Sequence, residues 1–363
     1  MKDIAFGKLP DLFTFNDGRK VETKEDWDLR RKEIAELAVD MCYGGMPPEP
    51  EYFDAELICN SHDKVYSYKI TAGTNEKQLH FLLKIYRPEV EGKVPVVIDG
   101  DECWGDMTHE IINEILAHGY AVALFNRTEI VKDIRESRDS ALFKVYPEIE
   151  SSTIAGWAWG SMRVVDALFK IDFIDTDNIA VTGHSRGGKA AQLAGAVDTR
   201  IQYVCPNGSG AGGAGCWHYL MREPEEWLKP IDDRSEVLKD LFNAFPYWMG
   251  PQMRDYIDRD GEIPFDQHFF KAMVAPRFFV QTEGLSDTWA NPKGSLQTFL
   301  AAKEVFKLLG VEDNAQIRFR AGEHAHDLAD FNMILNVMDH RIKGTPLSEE
   351  FRYNPFPDMD LMF

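Results

Sequence analysis

The segment Ile179–Ala191 reads IAVTGHSRGGKAA: an apolar run, a glycine-rich turn, then an alanine-rich run. Gly183, Ser185 and Gly187 form G-x-S-x-G, the spacing of a serine presented on a tight strand-to-helix turn. Such a turn crowds the positions two before and two after the serine, so small residues flank it. A serine placed there sits at a helix N-terminus, where backbone N–H groups and the helix dipole favour a developing negative charge. The chemistry this predicts is nucleophilic attack on a carbonyl. The same letters nearly spell a phosphate-binding loop, with Gly183 followed after four residues by Gly188-Lys189. That loop needs a serine or threonine next, to ligate magnesium, and here Ala190 stands in its place.

A serine nucleophile needs a base and an orienting acid, which in this kind of fold follow in the order Ser, Asp/Glu, His. A strand predicted over Pro276–Gln281 is followed by TEGLSDTW, offering Asp287 first and Glu283 second. A strand predicted over Gln316–Arg320 is followed by AGEHAHD, where His324, directly after the Gly322-Glu323 turn, is preferred to His326. An H-x-H pair can also ligate a metal, but no third or fourth ligand stands at recognisable spacing. Neither a metal nor an organic cofactor is expected. The loop Gly100–Gly105 is expected to supply a second oxyanion donor beside the N–H of Arg186.

These residues require a scaffold that brings strand ends together. Val65–Thr71 and Leu79–Tyr86 read as an antiparallel pair, and Val94–Asp99 and Tyr120–Phe125 as fully buried strands around a helix near Thr108–His118. A helix around Ile154–Phe169, strand Asn178–Thr182, a helix through Ala190–Ala196 and strand Gln202–Pro206 follow; helices Lys293–Leu309 and Leu328–His340 flank the late strands. Strands alternating with helices predict an α/β fold with a mostly parallel central sheet and helices on both faces, and G-x-S-x-G between a strand and a helix makes the α/β-hydrolase fold the expected type. Residues 1–50 are expected to form an N-terminal arm. Its helix starts at Thr23 and Asp26, buries Trp27, Ile34, Leu37, Ala38 and Met41, and stops at Gly44-Gly45. Residues 51–345 are expected to form a single domain, with an insertion at 209–264 over the C-terminal edge of the sheet, and 346–363 a tail.

Composition bounds the partners. The 363 residues carry 40 Lys+Arg against 60 Asp+Glu, a formal net charge of −20, with no basic run. Nucleic acid and anionic membranes, which need a basic footprint, are therefore not expected as partners. No apolar stretch approaches the ~18 residues of a membrane span. The N-terminal stretch lacks the roughly 7–15-residue apolar core of a secretory signal, so a cytoplasmic location is expected. The five cysteines are scattered and are expected to be free thiols. Oligomeric state is not legible.

The segment Gly183–Ala191, with Pro206–Ala214, resembles the glucuronoyl esterases of carbohydrate esterase family fifteen and their bacterial α/β-hydrolase relatives, which are related to acetyl xylan esterase-like proteins. Further similar stretches are Leu9-Pro10, Phe15–Gly18, Tyr43–Pro47, Ala155–Gly160, Phe245–Trp248, Pro264–His268, Ala275–Arg277 and Asp287–Pro292, so the resemblance covers most of residues 9–340. It implies Ser185 as nucleophile, His324 as base and Arg186 as oxyanion ligand through its N–H and guanidinium. It further implies Lys189 and Trp289 as sugar-binding residues, with Gln267 and His268 also facing the sugar. In many members a triad glutamate follows the strand after the nucleophile, where this chain has Gly208. The acid is then expected from the later strand, at Asp287. The substrate implied is a 4-O-methyl-glucuronoyl ester of xylan-derived oligosaccharides. The alternatives are an acetylated xylo-oligosaccharide and, in a different class, a carbohydrate-binding relative without catalysis.

Overall fold

A computed structural model describes residues 3–61, 64–222 and 234–363. Its strands are β1 (Ile4–Ala5), β2 (Tyr52–Asn60), β3 (Val65–Gly73), β4 (Gln78–Tyr86), β5 (Val94–Asp99), β6 (Ala121–Phe125), β7 (Ile174–His184), β8 (Tyr203–Asn207), β9 (Tyr219–Leu220), β10 (Phe278–Gly284) and β11 (Ala315–Arg320). Its helices are α1 (Lys24–Tyr43), α2 (His109–Ala117), α3 (Ala141–Val145), α4 (Thr153–Leu168), α5 (Arg186–Val197), α6 (Leu238–Ala244), α7 (His268–Val274), α8 (Pro292–Leu308) and α9 (Leu328–Lys343).

Nine strands form one sheet in the order β11-β10-β8-β7-β5-β6-β4-β3-β2. The six from β11 to β6 run parallel, and β4, β3 and β2 continue antiparallel. The period-two geometry of a strand explains why the parallel strands are apolar throughout. Val96 and Ile98 of β5 and Ala123 and Phe125 of β6 face one core, shared with α1, α4, α5, α7 and α8. Val97, Val122 and Leu124 face the other, under α2 and α9. Each such side chain contributes about 1.5–3 kcal/mol by leaving water. The fold is therefore the α/β-hydrolase architecture expected.

Two of the elements that the sequence does not reveal show why. β2 is an edge strand whose side chains are nearly all exposed, so no apolar alternation marks it. α7 is buried at every position, so it shows no amphipathic period either.

The arm is tied at several points. Thr23 and Asp26 form a reciprocal capping box and Gly44, in the left-handed conformation, ends α1. Trp27, Ile34 and Ala38 are buried, whereas Leu37 and Met41 are half-buried. β1 pairs with β9 of the insertion, and the tail returns to the arm through Leu9 N–H donating to Met362 O (2.7 Å). Residues 223–233 of the expected insertion lie outside the described residues. Among the described residues no helix is long and apolar enough to cross a membrane.

Candidate active site

The turn between β7 and α5 holds Ser185 at φ 55°, ψ −120°. A left-handed backbone at a non-glycine residue costs on the order of 1–3 kcal/mol and persists only where its surroundings over-determine it. Here they do. A Cβ at Gly183 would lie 2.6 Å from the carbonyl of Gly187, and one at Gly187 would lie 2.1 Å from Asp101 Oδ2. Asp101 also accepts the His184 N–H (2.8 Å) and pairs with buried Arg127. The Ser185 N–H donates to Asn207 O (2.9 Å) at the tip of β8. The turn is thus clamped from the loop after β5 on one side and from β8 on the other.

β7, β8, β10 and β11 are parallel neighbours, so their C-terminal ends share one edge of the sheet. Neighbouring strands lie about 4.8 Å apart, so residues after β11 start roughly 14 Å from the Ser185 turn and must lean back to reach it. They do so over the end of β10. Leu285 and Ser286 donate to Arg320 O and Gly322 O (2.9 Å each), and Arg320 Nη2 grips Glu323 O (3.0 Å) and Ala325 O (2.7 Å). Asp330 anchors Arg320 from α9 (3.0 Å).

This fixes His324. Its Nδ1 lies 2.5 Å from Asp287 Oδ2, and its ring packs against that of His184, with centroids 4.3 Å apart. Asp287 is buried, and its other oxygen accepts the Ala290 N–H (3.2 Å). An ionised carboxylate only accepts, so Nδ1 carries the proton and Nε2 keeps a lone pair for a base. The His184 ring is oriented in turn. Asn207 Nδ2 donates to Thr282 Oγ1 (2.8 Å), which leaves Oδ1 to accept from His184 Nδ1 (2.6 Å).

The competing residues lie elsewhere. His326 is buried and stacked on Phe331 at 4.2 Å, with neither ring nitrogen hydrogen-bonded, and burial holds it well below the ordinary histidine range. Glu283 accepts from Gln281 (2.6 Å) and Ser295 (3.0 Å). Burial raises Glu283 to about 7, and it belongs to an interior pair with Lys271.

Beside the turn, the N-terminus of α5 presents the Arg186 N–H, and the Arg186 guanidinium is held by Asp133 (2.6 Å). The guanidinium lies over the rings of Trp248 (4.6 Å), Phe245 (4.9 Å) and Trp104 (5.4 Å), and Trp104 is 57% exposed. Asp133 also accepts from Trp248 Nε1 (2.9 Å) and Tyr247 Oη (3.1 Å). Asp133 and the stretch 245–248 therefore fix a cation beside the serine.

Three residues expected to face a sugar are placed differently. Lys189 is 3% exposed, and its ammonium donates to Ser209 O (2.6 Å) and Ala211 O, with Glu236 at 3.6 Å. Burial lowers Lys189 and raises Glu236, so each depends on the other's charge. Gln267 is fully buried against Gln192 (3.2 Å), and His268 Nε2 donates to Pro10 O (2.8 Å) of the arm. Gln267 precedes α7 and His268 begins it, and both side chains are buried in the packing around that helix. Trp289 is half-buried in the turn after Asp287, and its indole bonds to Glu236. Glu236, Asp133 and Asp101 escape a reading of the sequence, since no spacing ties them to the serine motif. Among the described residues, no group of three or more His, Cys, Asp or Glu side chains is arranged to hold a metal ion.

Comparison with known proteins agrees with this architecture. Residues 70–310 match the family of fungal glucuronyl esterases. A 4-O-methyl-glucuronoyl methylesterase of Schizophyllum commune is 31% identical over 324 residues, 88% of this chain and 77% of that one. A protein of the same name from Wolfiporia cocos is 29% identical over 328 residues, 88% of this chain and 76% of that one. Among solved structures, a carbohydrate esterase family 15 glucuronoyl esterase from Caldicellulosiruptor kristjansonii superposes with a TM-score of 0.86 at 30% identity. That superposition covers 98% of this chain and 95% of the other. With a serine turn, a sheet and a full-length likeness all of one kind, this chain belongs to the glucuronoyl esterase family.

Proposed function

We propose that the protein is a serine hydrolase of glucuronoyl esters, with a 4-O-methyl-glucuronoyl ester of a xylan-derived oligosaccharide as substrate. Ser185 attacks the ester carbonyl as His324 Nε2 takes its proton, and Asp287 holds the imidazolium that forms. The tetrahedral oxyanion meets the Arg186 N–H, with the guanidinium of the same residue alongside. The imidazolium returns its proton to the departing alcohol, and water then releases the acid by the same steps in reverse roles. Arg186 is held by a carboxylate that is itself fixed by two aromatic residues, and a cation so placed suits an anion-forming carbonyl.

The observation that carries this reading is the Asp287–His324 pair at 2.5 Å, with its ring packed on the residue preceding Ser185. The test is Ser185→Ala assayed by methanol release from methyl 4-O-methyl-glucuronate. Turnover should fall by about 10³-fold or more with the fold intact. Residual activity near wild type would sink the mechanism. Faster acetate release from acetyl-xylan than methanol release by the wild type would replace the substrate.

A further inference from the structure

Pro246 and Tyr247 of the aromatic wall also line a cleft of about 360 Å³. Arg135, Arg138 and Arg254 line it together with Tyr247, Thr153 and a single carboxylate, Glu150. In a chain of net charge −20, this local excess of three guanidinium groups over one carboxylate is a departure from the surrounding surface. Among the described residues, none of the three arginines has a carboxylate within 4 Å, while most other arginines of the fold are ion-paired.

The three are nevertheless held. Arg135 Nη2 donates to Asn243 O (2.7 Å), and Arg138 Nη1 donates to Ile149 O (2.8 Å) while its guanidinium lies 4.2 Å over Phe143. Arg254 lies 4.9 Å over Phe242. A neutral carbonyl or a ring face orients a guanidinium without neutralising it, so donors remain for an anion. Thr153, the first residue of the sixteen-residue helix α4, lines the same cleft. It is 1% exposed, and its hydroxyl has no hydrogen-bond partner. A helix N-terminus adds a favourable dipole for negative charge.

We infer that this cleft is a subsite for an oxyanion, supplied by a free carboxylate on a second uronosyl residue of the same substrate chain. The inference rests on the glucuronoyl-ester reading and extends it, from one esterified sugar to an oligosaccharide that carries further acid groups. The connection to the ester site is direct. Tyr247 lines the cleft with its ring and donates its hydroxyl to Asp133 (3.1 Å), and Asp133 holds Arg186 (2.6 Å) next to Ser185. A chain crossing the Tyr247 edge would therefore place one uronate at the serine and another among the arginines.

The experiment compares two substrates and one inorganic probe. The substrates are methyl 4-O-methyl-glucuronate, with no second acid, and a xylo-oligosaccharide bearing one methyl-esterified and one free glucuronate. Wild type should show a KM lower by about tenfold or more for the second substrate, tenfold being the scale of a single charge-assisted hydrogen bond. In Arg135→Gln/Arg138→Gln/Arg254→Gln that advantage should disappear, with activity on the simple ester unchanged. Each single variant, which removes one exposed side chain, should lose part of the advantage and guards against a folding defect in the triple variant. Inorganic phosphate should bind the wild type calorimetrically and should not bind the triple variant. Equal KM values in wild type together with no phosphate binding would overturn the subsite. Phosphate binding with equal KM values would keep the anion site and overturn the uronate as its source. Should neither ester be hydrolysed at all, the glucuronoyl reading fails, while the phosphate titration still decides whether the anion site exists.

Discussion

The catalytic edge and the wall that faces it are built on opposite plans. At the edge, Ser185, Asn207, Asp287 and His324 follow directly on or close to the ends of four adjacent buried strands, and backbone hydrogen bonds hold the loops in between. The wall is assembled from parts distant in the chain: Asp133 after β6, Arg186 on α5, Glu236 before α6 and residues 245–248 beyond it. The edge inherits its precision from the sheet, which cannot shift without breaking a core. The wall depends more on side-chain bonds, with a few backbone links such as Thr153 N–H to Tyr247 O (2.9 Å) and Glu236 N–H to Trp289 O (3.1 Å). Reaction chemistry thus sits on the rigid region, and recognition sits where sequence and geometry can change at lower cost.

The sharpest way to break this contrast is at the acid. Asp287→Asn should keep the shape but favour the wrong tautomer of His324, lowering kcat by about 10³–10⁴-fold. Glu283→Gln should change kcat by no more than a few fold, because its carboxylate faces Gln281 and Ser295 instead. Steady-state assays of the two variants side by side decide between them. If Glu283→Gln is the more damaged in kcat, the assignment is reversed.

A second intervention asks how much freedom the edge has. A Cβ at Gly208 would lie 3.5 Å from both His324 Nδ1 and Asp287 Oδ2. Gly208→Glu added to Asp287→Asn should therefore restore roughly 10–100-fold of the lost kcat, less the cost of a side chain at φ 48°. No recovery in a folded double variant would mean that only the β10 loop can orient the base.

On the wall, Asp133→Asn should release Arg186 and cost about tenfold in kcat/KM. A loss as large as that of Asp287→Asn would erase the distinction between the two regions.

The smallest effect is on stability. Burial lowers His268 to about 4, and holds His326 well below the ordinary histidine range. The unfolded chain titrates near 6.5. Between those values the unfolded state binds more protons than the folded one, so stability is full above about pH 6.5 and falls as the pH drops towards 4. His326→Phe keeps a ring on Phe331 and removes one of these proton sites. Urea midpoints measured across that range should fall less steeply in the variant, and an unchanged slope would show that His326 is not buried neutral.

The serine turn was legible because its requirements are local. Gly183 is forced by Gly187 and Gly188 of the motif itself, although Gly187 is forced by Asp101 from the loop after β5, and the strand and helix on either side announce themselves by composition. The parallel strands were legible for the same reason, as short apolar runs. The surroundings of Lys189, Gln267 and His268 were not legible, because a polar residue looks the same in sequence whether it lies at a surface or against buried groups. Only the burial of α7 and the path of the loop Ser209–Ala211 separate the two cases.

By itself, then, the sequence determined the fold class, the candidate nucleophile and the short list of candidate acids and bases, since each depends on spacing and period along one stretch of chain. Tertiary structure alone decided which histidine meets which carboxylate, because a two-residue step from His324 to His326 turns one ring towards Asp287 and the other into a core. It also decided which charges surround the ester, because Asp133, Glu236 and the arginines of the second cleft approach each other only after the sheet has closed and the insertion has packed.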